Sequence, residues 1–250
     1  YDHGTPYFQI ESPDIKELCA QWQAQNILEQ SKGYYIGMPG MNSLAKHFSK
    51  NLKLYTGTKV KTISGQGLIT EDAAEHGPFD AIIITIPAPQ IPDILEGTQD
   101  LLSHIEFSPL RSIMMTLSNE DAEAPAHPDS DKVIHESGKP GREAYNSLVY
   151  HMNQDWSETH IDLSNEAALE AFFQNWPGNK DRVVHAQAHG WRYAHSTRTL
   201  GDTTGKAHYR FSDSIFFAGD WVPPTKFQKA PYQTGIERAL LSALSMSYDF

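Results

Sequence analysis

Phe79-Asp80-Ala81-Ile82-Ile83-Ile84-Thr85-Ile86-Pro87 is the stretch on which the fold turns. Its isoleucines leave no polar stripe, so the run reads as a strand buried on both faces, usual in parallel layers sandwiched by helices. Pro87 and Pro89 end it, because proline has no N–H to give to a ladder. A second apolar run, Ser214-Ile215-Phe216-Phe217-Ala218, passes directly into Gly219-Asp220. After a Pro-rich connection, residues 232–247 follow as a closing helix. A strand, a Gly-Asp turn and a helix bring a carboxylate and helix-terminal N–H groups to one spot. A carboxylate there accepts from sugar-like hydroxyls, and the free amides suit anionic or carbonyl oxygens. The same block reads equally well as an ordinary tight turn.

Working outward, residues 13–25 read as an amphipathic helix, with Ser12 as N-cap, Pro13 in the first turn and Ile15, Leu18, Cys19 and Trp22 at helical spacing. Tyr34-Tyr35-Ile36 is a short extended segment. A turn at Gly37-Met38-Pro39-Gly40-Met41 then leads into a helix over 41–50, with Met41, Leu44, Ala45 and Phe48 as its apolar face. Short strands follow at 52–55, 58–64 and 68–70. Further on, 111–118, 146–151 and 182–189 have strand character, and 164–176 is a helix with Ser164 as N-cap. Residues 119–144, rich in charge, Pro and Gly, read as a loop or β-excursion. The chain is therefore mixed α/β: α/β in its first third and last fifth, with a sheet-rich module between.

Composition narrows the function. With 250 residues, 20 Lys and Arg, and 31 Asp and Glu, the net charge is −11. That balance argues against a phosphate-backbone partner, whose affinity comes from Lys and Arg. The length suffices for a core without staples, and one cysteine allows neither an intrachain disulfide nor a cysteine-rich zinc site. Apolar runs fall short of the ~20 residues of a membrane helix. A soluble, cytoplasmic protein without nucleic-acid or membrane partners is expected. His185, Gln187 and His189 alternate on a strand, with His195 beyond. Without a paired carboxylate beside them they read as hydrogen-bonded imidazoles rather than metal ligands. There is no G-x-S-x-G, and Cys19 on an apolar helix face reads as packed.

Four blocks in order carry a resemblance. Residues 79–87 resemble the strand ending in A-x-P of flavin-dependent amine oxidases. Gly37-Met38-Pro39-Gly40-Met41-Asn42-Ser43-Leu44-Ala45 resembles their "GGMSALA"-type helix entry. Thr58-Lys59-Val60-Lys61-Thr62-Ile63 resembles their adenine-side strand. With Tyr1-Asp2-His3-Gly4, Trp191-Arg192-Tyr193 and the Gly219-Asp220 block, the order and spacing are similar to the renalase-like branch of FAD-dependent oxidoreductases, from Tyr1 to about Met246. The resemblance implies a parallel FAD-binding layer over 1–12, 31–105 and 207–250, and an inserted antiparallel-sheet substrate domain over 13–30 and 106–206. It implies FAD as cofactor, held by the Val60 backbone at adenine and by Pro87, Gly219 and Asp220. Gln233, Thr234 and Gly235 would lie at the pyrimidine edge, where a helix N-terminus favours the charge of reduced flavin. Tyr7, Phe8, Trp191, Arg192 and Tyr193 would wall the cavity of a small-molecule substrate, and they read equally as core aromatics with a surface Arg. No catalytic acid–base pair stands out. Hydride loss from a dihydropyridine needs none.

The pattern also departs from that family. There is no G-x-G-x-x-G, the turn that holds the FAD pyrophosphate; Gly65-Gln66-Gly67 has Thr70 where the third Gly would fall. Pro6 stands where the family has Gln, and Lys229-Ala230-Pro231 stands where it has Glu-Gly-Ala. The chain opens at Tyr1 on turn chemistry typical of a domain's middle, as expected if a beginning carrying the dinucleotide-binding βαβ unit is missing. A removed leader or a processed Met are the alternatives. The leading expectation is an FAD-dependent oxidoreductase taking hydride from an amine or dihydronicotinamide-type substrate, with dioxygen as acceptor, and inactive without that unit. The second is a non-catalytic binding or assembly subunit, docked to a chain that supplies the nucleotide-binding unit. A metal-dependent hydrolase on the His-rich strand is third.

Overall fold

The computed structural model describes residues 1–118, 124–142, 146–224 and 235–247. In chain order the first elements are α1 (Pro13–Ala24), β1 (Leu28–Ser31), β2 (Tyr34–Gly37), α2 (Ser43–Ser49), β3 (Val60–Ser64), β4 (Gly67–Thr70), β5 (Glu75–His76) and β6 (Ile82–Ile84). Then come α3 (Gln99–Leu102), β7 (Glu106–Leu117), β8 (Ser130–His135), β9 (Ser147–Met152), α4 (Gln154–His160), α5 (Asn165–Asn175) and β10 (Val183–Arg198). The last are α6 (Gly201–Thr204), β11 (Tyr209–Arg210), β12 (Ile215–Phe217) and α7 (Gly235–Met246).

The chain forms two compact units. The first takes Tyr1–Gln9, Lys16–Lys50 and Phe107–His195; the second takes Ile10–Ile15, Asn51–Glu106 and Ser196–Phe250.

The first unit is built on a sheet of order β10-β7-β9-β8. β9 runs antiparallel to both neighbours, with Ile113 opposite Tyr150 and Lys132 opposite His151. Because side chains alternate along a strand, this register separates two faces of different chemistry. One face carries Ile113, Met115, Leu148, Tyr150 and Met152 against Trp156, Ala168, Phe172 and Trp176. Ala168 and Phe172 lie one turn apart on α5, whose first turn is capped by the Ser164 side chain accepting from the Ala167 N–H at 3.1 Å. Tyr150 and Trp176 keep their polar tips satisfied in that core. The indole donates to the Tyr150 hydroxyl, which donates to the Pro125 carbonyl, each at 3.1 Å. The other face carries Met114, Ile134 and Val149, then Ser112, His151 and Lys132.

The second unit holds a sheet of order β11-β12-β6, with β12 parallel to β6, and a separate antiparallel sheet of order β3-β4-β5. Phe216, Ala218 and Met246 pack as one cluster, tying β12 to α7. The parallel pairing and the antiparallel sheet are both as expected of the α/β class.

Local differences have physical causes. The strand expected to be buried on both faces is three residues long and pairs with β12 alone among the described residues, so Ile83 is 48% exposed. The segment 52–55 makes no ladder, and Leu52, Leu54 and Tyr55 are exposed. On α2 only Leu44 of the expected apolar face is buried. β7 and β10 run longer than their apolar patterns, since antiparallel partners extend a ladder through polar residues. The Pro- and Gly-rich stretch contains β8, which closes the sheet edge, and α4 arises where Asn153 caps the Trp156 N–H. Residues 229–234 lie outside the described residues.

Candidate functional site

In the second unit, β12 leads through Ala218 to Gly219 with φ +135, a backbone angle that suits glycine alone. Its N–H donates to the Ser242 hydroxyl of α7 at 3.1 Å. The next residue, Asp220, keeps its carboxylate partly exposed. The Ser196 hydroxyl donates to Asp220 Oδ2 at 3.3 Å, and Arg238 Nη2 lies 3.9 Å from the same oxygen. Gly235 opens α7 against this carboxylate: a Cβ there would sit 2.8 Å from Oδ2. Arg238 is buried, with both terminal nitrogens directed at the Ser196 carbonyl and Nε without a partner. Burial pushes its guanidinium down from the ordinary range, and Asp220 and Asp202 oppose that. Glu237 is equally buried and accepts the Glu11 and Ser12 N–H groups at 2.7 and 2.8 Å. It supplies an acceptor at the entry to α1, where the Ser12 side chain was expected to act.

A cavity of about 760 Å³ lies in the same unit, lined by residues 58–61, Ile63, Leu68 and Glu71 on one side and by 82–86, Gln90, Asp93 and Ile94 on the other. That volume is in the range of cofactor sites, and eight of its fifteen lining residues are apolar, six of them isoleucine. It brings Val60 and the end of the β6 segment to one space, while Pro87 begins the turn immediately beyond. The isoleucine-lined part of this cavity, beside β3, is a suitable receptor for a flat heteroaromatic ring. The close approach of Gly235 to Asp220 makes a narrow acceptor site suited to hydroxyl groups. Both fit the parts of a flavin dinucleotide.

In the first unit, the N-terminal segment runs across the polar face of the sheet. Ser112 donates its hydroxyl to the His3 carbonyl at 2.6 Å, and the Tyr1 hydroxyl bonds that of Thr116. The His3 ring stacks on Trp191 with centroids 5.3 Å apart and meets His189 edge-on at 4.8 Å. Gly4 permits this closeness, since a Cβ there would lie 3.3 Å from the indole. The Tyr7 ring lies 4.4 Å from Tyr34, with the Lys132 ammonium 5.9 Å from its centroid. His151 is nine-tenths buried; it bonds the His3 backbone, and its Nε2 has no partner. Burial, with Lys132 nearby, drives its pKa down to about 4, so the ring is neutral. Burial also lowers His3 and Lys132.

The expected substrate wall divides among three places. Trp191 and Tyr193 share this face, the latter edge-on to Phe107. Arg192, the residue between them, projects to the helix-covered side and pairs with Asp162 at 2.5 Å. Phe8 is fully buried and stacks on Tyr35. Gln233 and Thr234 lie outside the described residues. His3, Lys132, His151, Arg238 and Glu237 were not singled out from the sequence. The strand alternation that revealed His185 and His189 would also have revealed His151, but strand pairing alone sets Lys132 opposite it. Among the described residues no group of three or more His, Cys, Asp or Glu could hold a metal ion, and no helix is long and apolar enough to cross a membrane.

Comparison with known proteins agrees with this geometry. The family model for flavin-containing amine oxidoreductases matches residues 7–245. An oxidoreductase from Methanosarcina mazei superposes with a TM-score of 0.55 at 16% identity, over 86% of this chain and 56% of its own. A triple mutant of putrescine oxidase, made for redesigned cofactor binding, gives 0.59 at 10% identity, over 87% of this chain and 54% of its own. The fold is thus that of flavin-dependent oxidoreductases, and this chain spans little more than half the length of those structures. The chain belongs to the flavin-containing amine oxidoreductase family, and a flavin cofactor follows from that membership, as expected.

Proposed function

We propose that this chain is the larger part of a renalase-like, FAD-dependent oxidoreductase that removes a hydride from an amine or dihydronicotinamide-type substrate, with dioxygen as electron acceptor. The observation that carries it is the junction of Gly219, Asp220 and Gly235, where a carboxylate sits against a helix start with no room for a side chain between them. By the family resemblance, Val60 would meet adenine through its backbone, Asp220 would accept from the ribityl or pyrophosphate portion, and Gln233, Thr234 and Gly235 would border the pyrimidine edge. FAD, when bound, would supply two-electron chemistry: hydride acceptance from the substrate and, with a further proton from solvent, reduction of dioxygen to hydrogen peroxide. Arg238 sets a positive charge beside Asp220 and holds the end of β10 through the Ser196 carbonyl. Ser196 orients the carboxylate by its hydroxyl. In the other unit, His3, Trp191 and Tyr193 present flat aromatic surface to a planar substrate.

Full activity needs a G-x-G-x-x-G-bearing βαβ unit, which these 250 residues do not contain. FAD is therefore expected to bind the chain weakly on its own and more tightly once such a unit is supplied. Flavin fluorescence titration measures both, with Asp220→Ala as control: an Asp220→Ala chain that holds FAD as tightly as the parent refutes the assignment. The exposed isoleucine edge of β6 favours a second reading, an assembly subunit that docks a partner's strand without catalysis of its own. Hydrogen peroxide production by the complemented protein would exclude that second role.

A further inference from the structure

Met38 and Met41 bracket the turn that joins β2 to α2, and both are partly exposed. The other four methionines, Met114, Met115, Met152 and Met246, are at most 5% exposed. The turn is tight: a Cβ at Gly37 would lie 2.5 Å from the Gly40 carbonyl oxygen and 2.8 Å from Met41 Cα. On the outer edge of β2, the Phe8 and Tyr35 backbones exchange N–H bonds at 3.1 and 2.8 Å. Alternation turns the Gly37 N–H toward that same edge. Gly37 is buried, and its N–H finds an acceptor in the Met41 thioether, with nitrogen 3.1 Å from sulfur. The flanking backbone is held by other groups. The Met41 N–H donates to Asp2 Oδ1 at 3.0 Å, and Arg142 donates to the Gly37 carbonyl at 3.3 Å and to the Pro39 carbonyl. The Ser43 hydroxyl donates to the Met38 carbonyl at 2.6 Å. Met38 instead packs its methyl on Gly141, where a Cβ would come within 2.6 Å of Cε.

We propose that Met41 is a modification site for hydrogen peroxide, where oxidation to the sulfoxide frees the Gly37 N–H and loosens the turn into α2; this rests on the oxidoreductase reading above for the source of peroxide. A thioether has two lone pairs, so one accepts from Gly37 while the other attacks peroxide. The S–O bond forms as the O–O bond breaks, and the second oxygen leaves as water; sulfur loses the two electrons that peroxide gains. The new oxygen cannot enter between a nitrogen and a sulfur 3.1 Å apart, so it adds on the far side. Sulfur then carries partial positive charge and no longer attracts the N–H, and a buried donor without an acceptor is costly. The Met41 N–H stays tied to Asp2, which limits how far the side chain can swing its oxygen toward Gly37. Peroxide would thus act back on the chain that makes it.

The test adds hydrogen peroxide to the 250-residue chain, maps sulfoxide by peptide mass spectrometry and follows amide hydrogen exchange across 36–43. Met41 is expected to oxidise at least about tenfold faster than the four buried methionines, and exchange at Gly37 should quicken in step. Methionine sulfoxide reductases should reverse both changes. Met41→Leu keeps the bulk without the acceptor, so it should exchange at the oxidised rate from the start and ignore peroxide. Met38→Leu should respond as the parent does. Circular dichroism verifies that each variant is folded, and the parent measurements stand without either. Met41 oxidising no faster than the buried four, oxidised Met41 with unchanged exchange at Gly37, or a folded Met38→Leu chain that no longer responds would each overturn the proposal. Peroxide supplied from outside keeps the two ideas apart. A responsive Met41 in a complemented protein that makes no peroxide from any amine or dihydronicotinamide refutes only the proposed function, and peroxide production beside an unresponsive Met41 refutes only this inference.

Discussion

His151 enters the fold as a neutral imidazole amid Lys132, His3, His195 and Lys139. In the unfolded chain the same ring takes its proton near pH 6.5, whereas in the fold it does so only near about 4. Between those values the unfolded chain binds a proton that the native chain refuses. The stabilisation is therefore complete above pH 6.5 and drains away as pH falls toward 4. A gap of this size corresponds to roughly 3 kcal/mol. Urea unfolding at pH 7.5 and 4.5 should show that loss, and His151→Asn should flatten most of it; an equally steep variant would assign the effect to other groups. Asp2 acts in a lower window. Burial opposes its ionisation, but hydrogen bonds from Arg142 and the Met41 N–H and the charge of Lys139 outweigh that and hold its pKa below the ordinary 3.8. Its contribution is present above that value and lost only in stronger acid.

Arg111 shows how a single side chain fastens two helices to a strand. It is 2% exposed on β7, and its guanidinium donates to the His160 carbonyl at 3.1 Å, the Asn165 side chain at 2.8 Å and the Ile161 and Leu163 carbonyls. The four acceptors run from the last residue of α4 to the first residue of α5. Gly190 leaves room for it, since a Cβ there would approach the guanidinium to 3.1 Å. Arg111→Met should destabilise the protein by about 2–4 kcal/mol, and hydrogen exchange should quicken first across 160–165; a uniform rise throughout the unit would contradict this local role. Ser164→Ala, which removes only the cap of α5, should cost about 1 kcal/mol by thermal melting. The cap was legible in the sequence because its rule is local, as were the helix at 13–24 and the strand before Gly219. The entry to α1 was not, because its acceptor comes from Glu237, more than two hundred residues away. The same limit hid the Lys132–His151 pairing, which depends on strand register, and the exposure of Ile83, which depends on how many neighbours a strand has. Apolar composition identified β6 as a strand but could not show that one side lacks a partner among the described residues.

For the whole molecule, that edge has consequences in solution. Ile83 at 48% exposure, Phe79 at 38% and Ile86 at 37% form apolar surface on and beside a strand that has one edge without a partner among the described residues, a combination that invites strand-to-strand association. Light scattering should find the 250-residue chain associating with rising concentration, and Ile83→Lys should suppress this with little change in melting temperature. A monodisperse parent at high concentration would show that the edge is harmless. The two units impose a constraint of another kind. The chain contributes three segments to each, in strict alternation, and so passes between them five times. On the ribosome, neither unit can close as its residues emerge: the first waits for β10, and the second waits for α7, the last helix of the described chain. Both cores must remain unfinished until the last of these segments emerges, so either half depends on late-emerging residues, and on any chaperone present then, to become native.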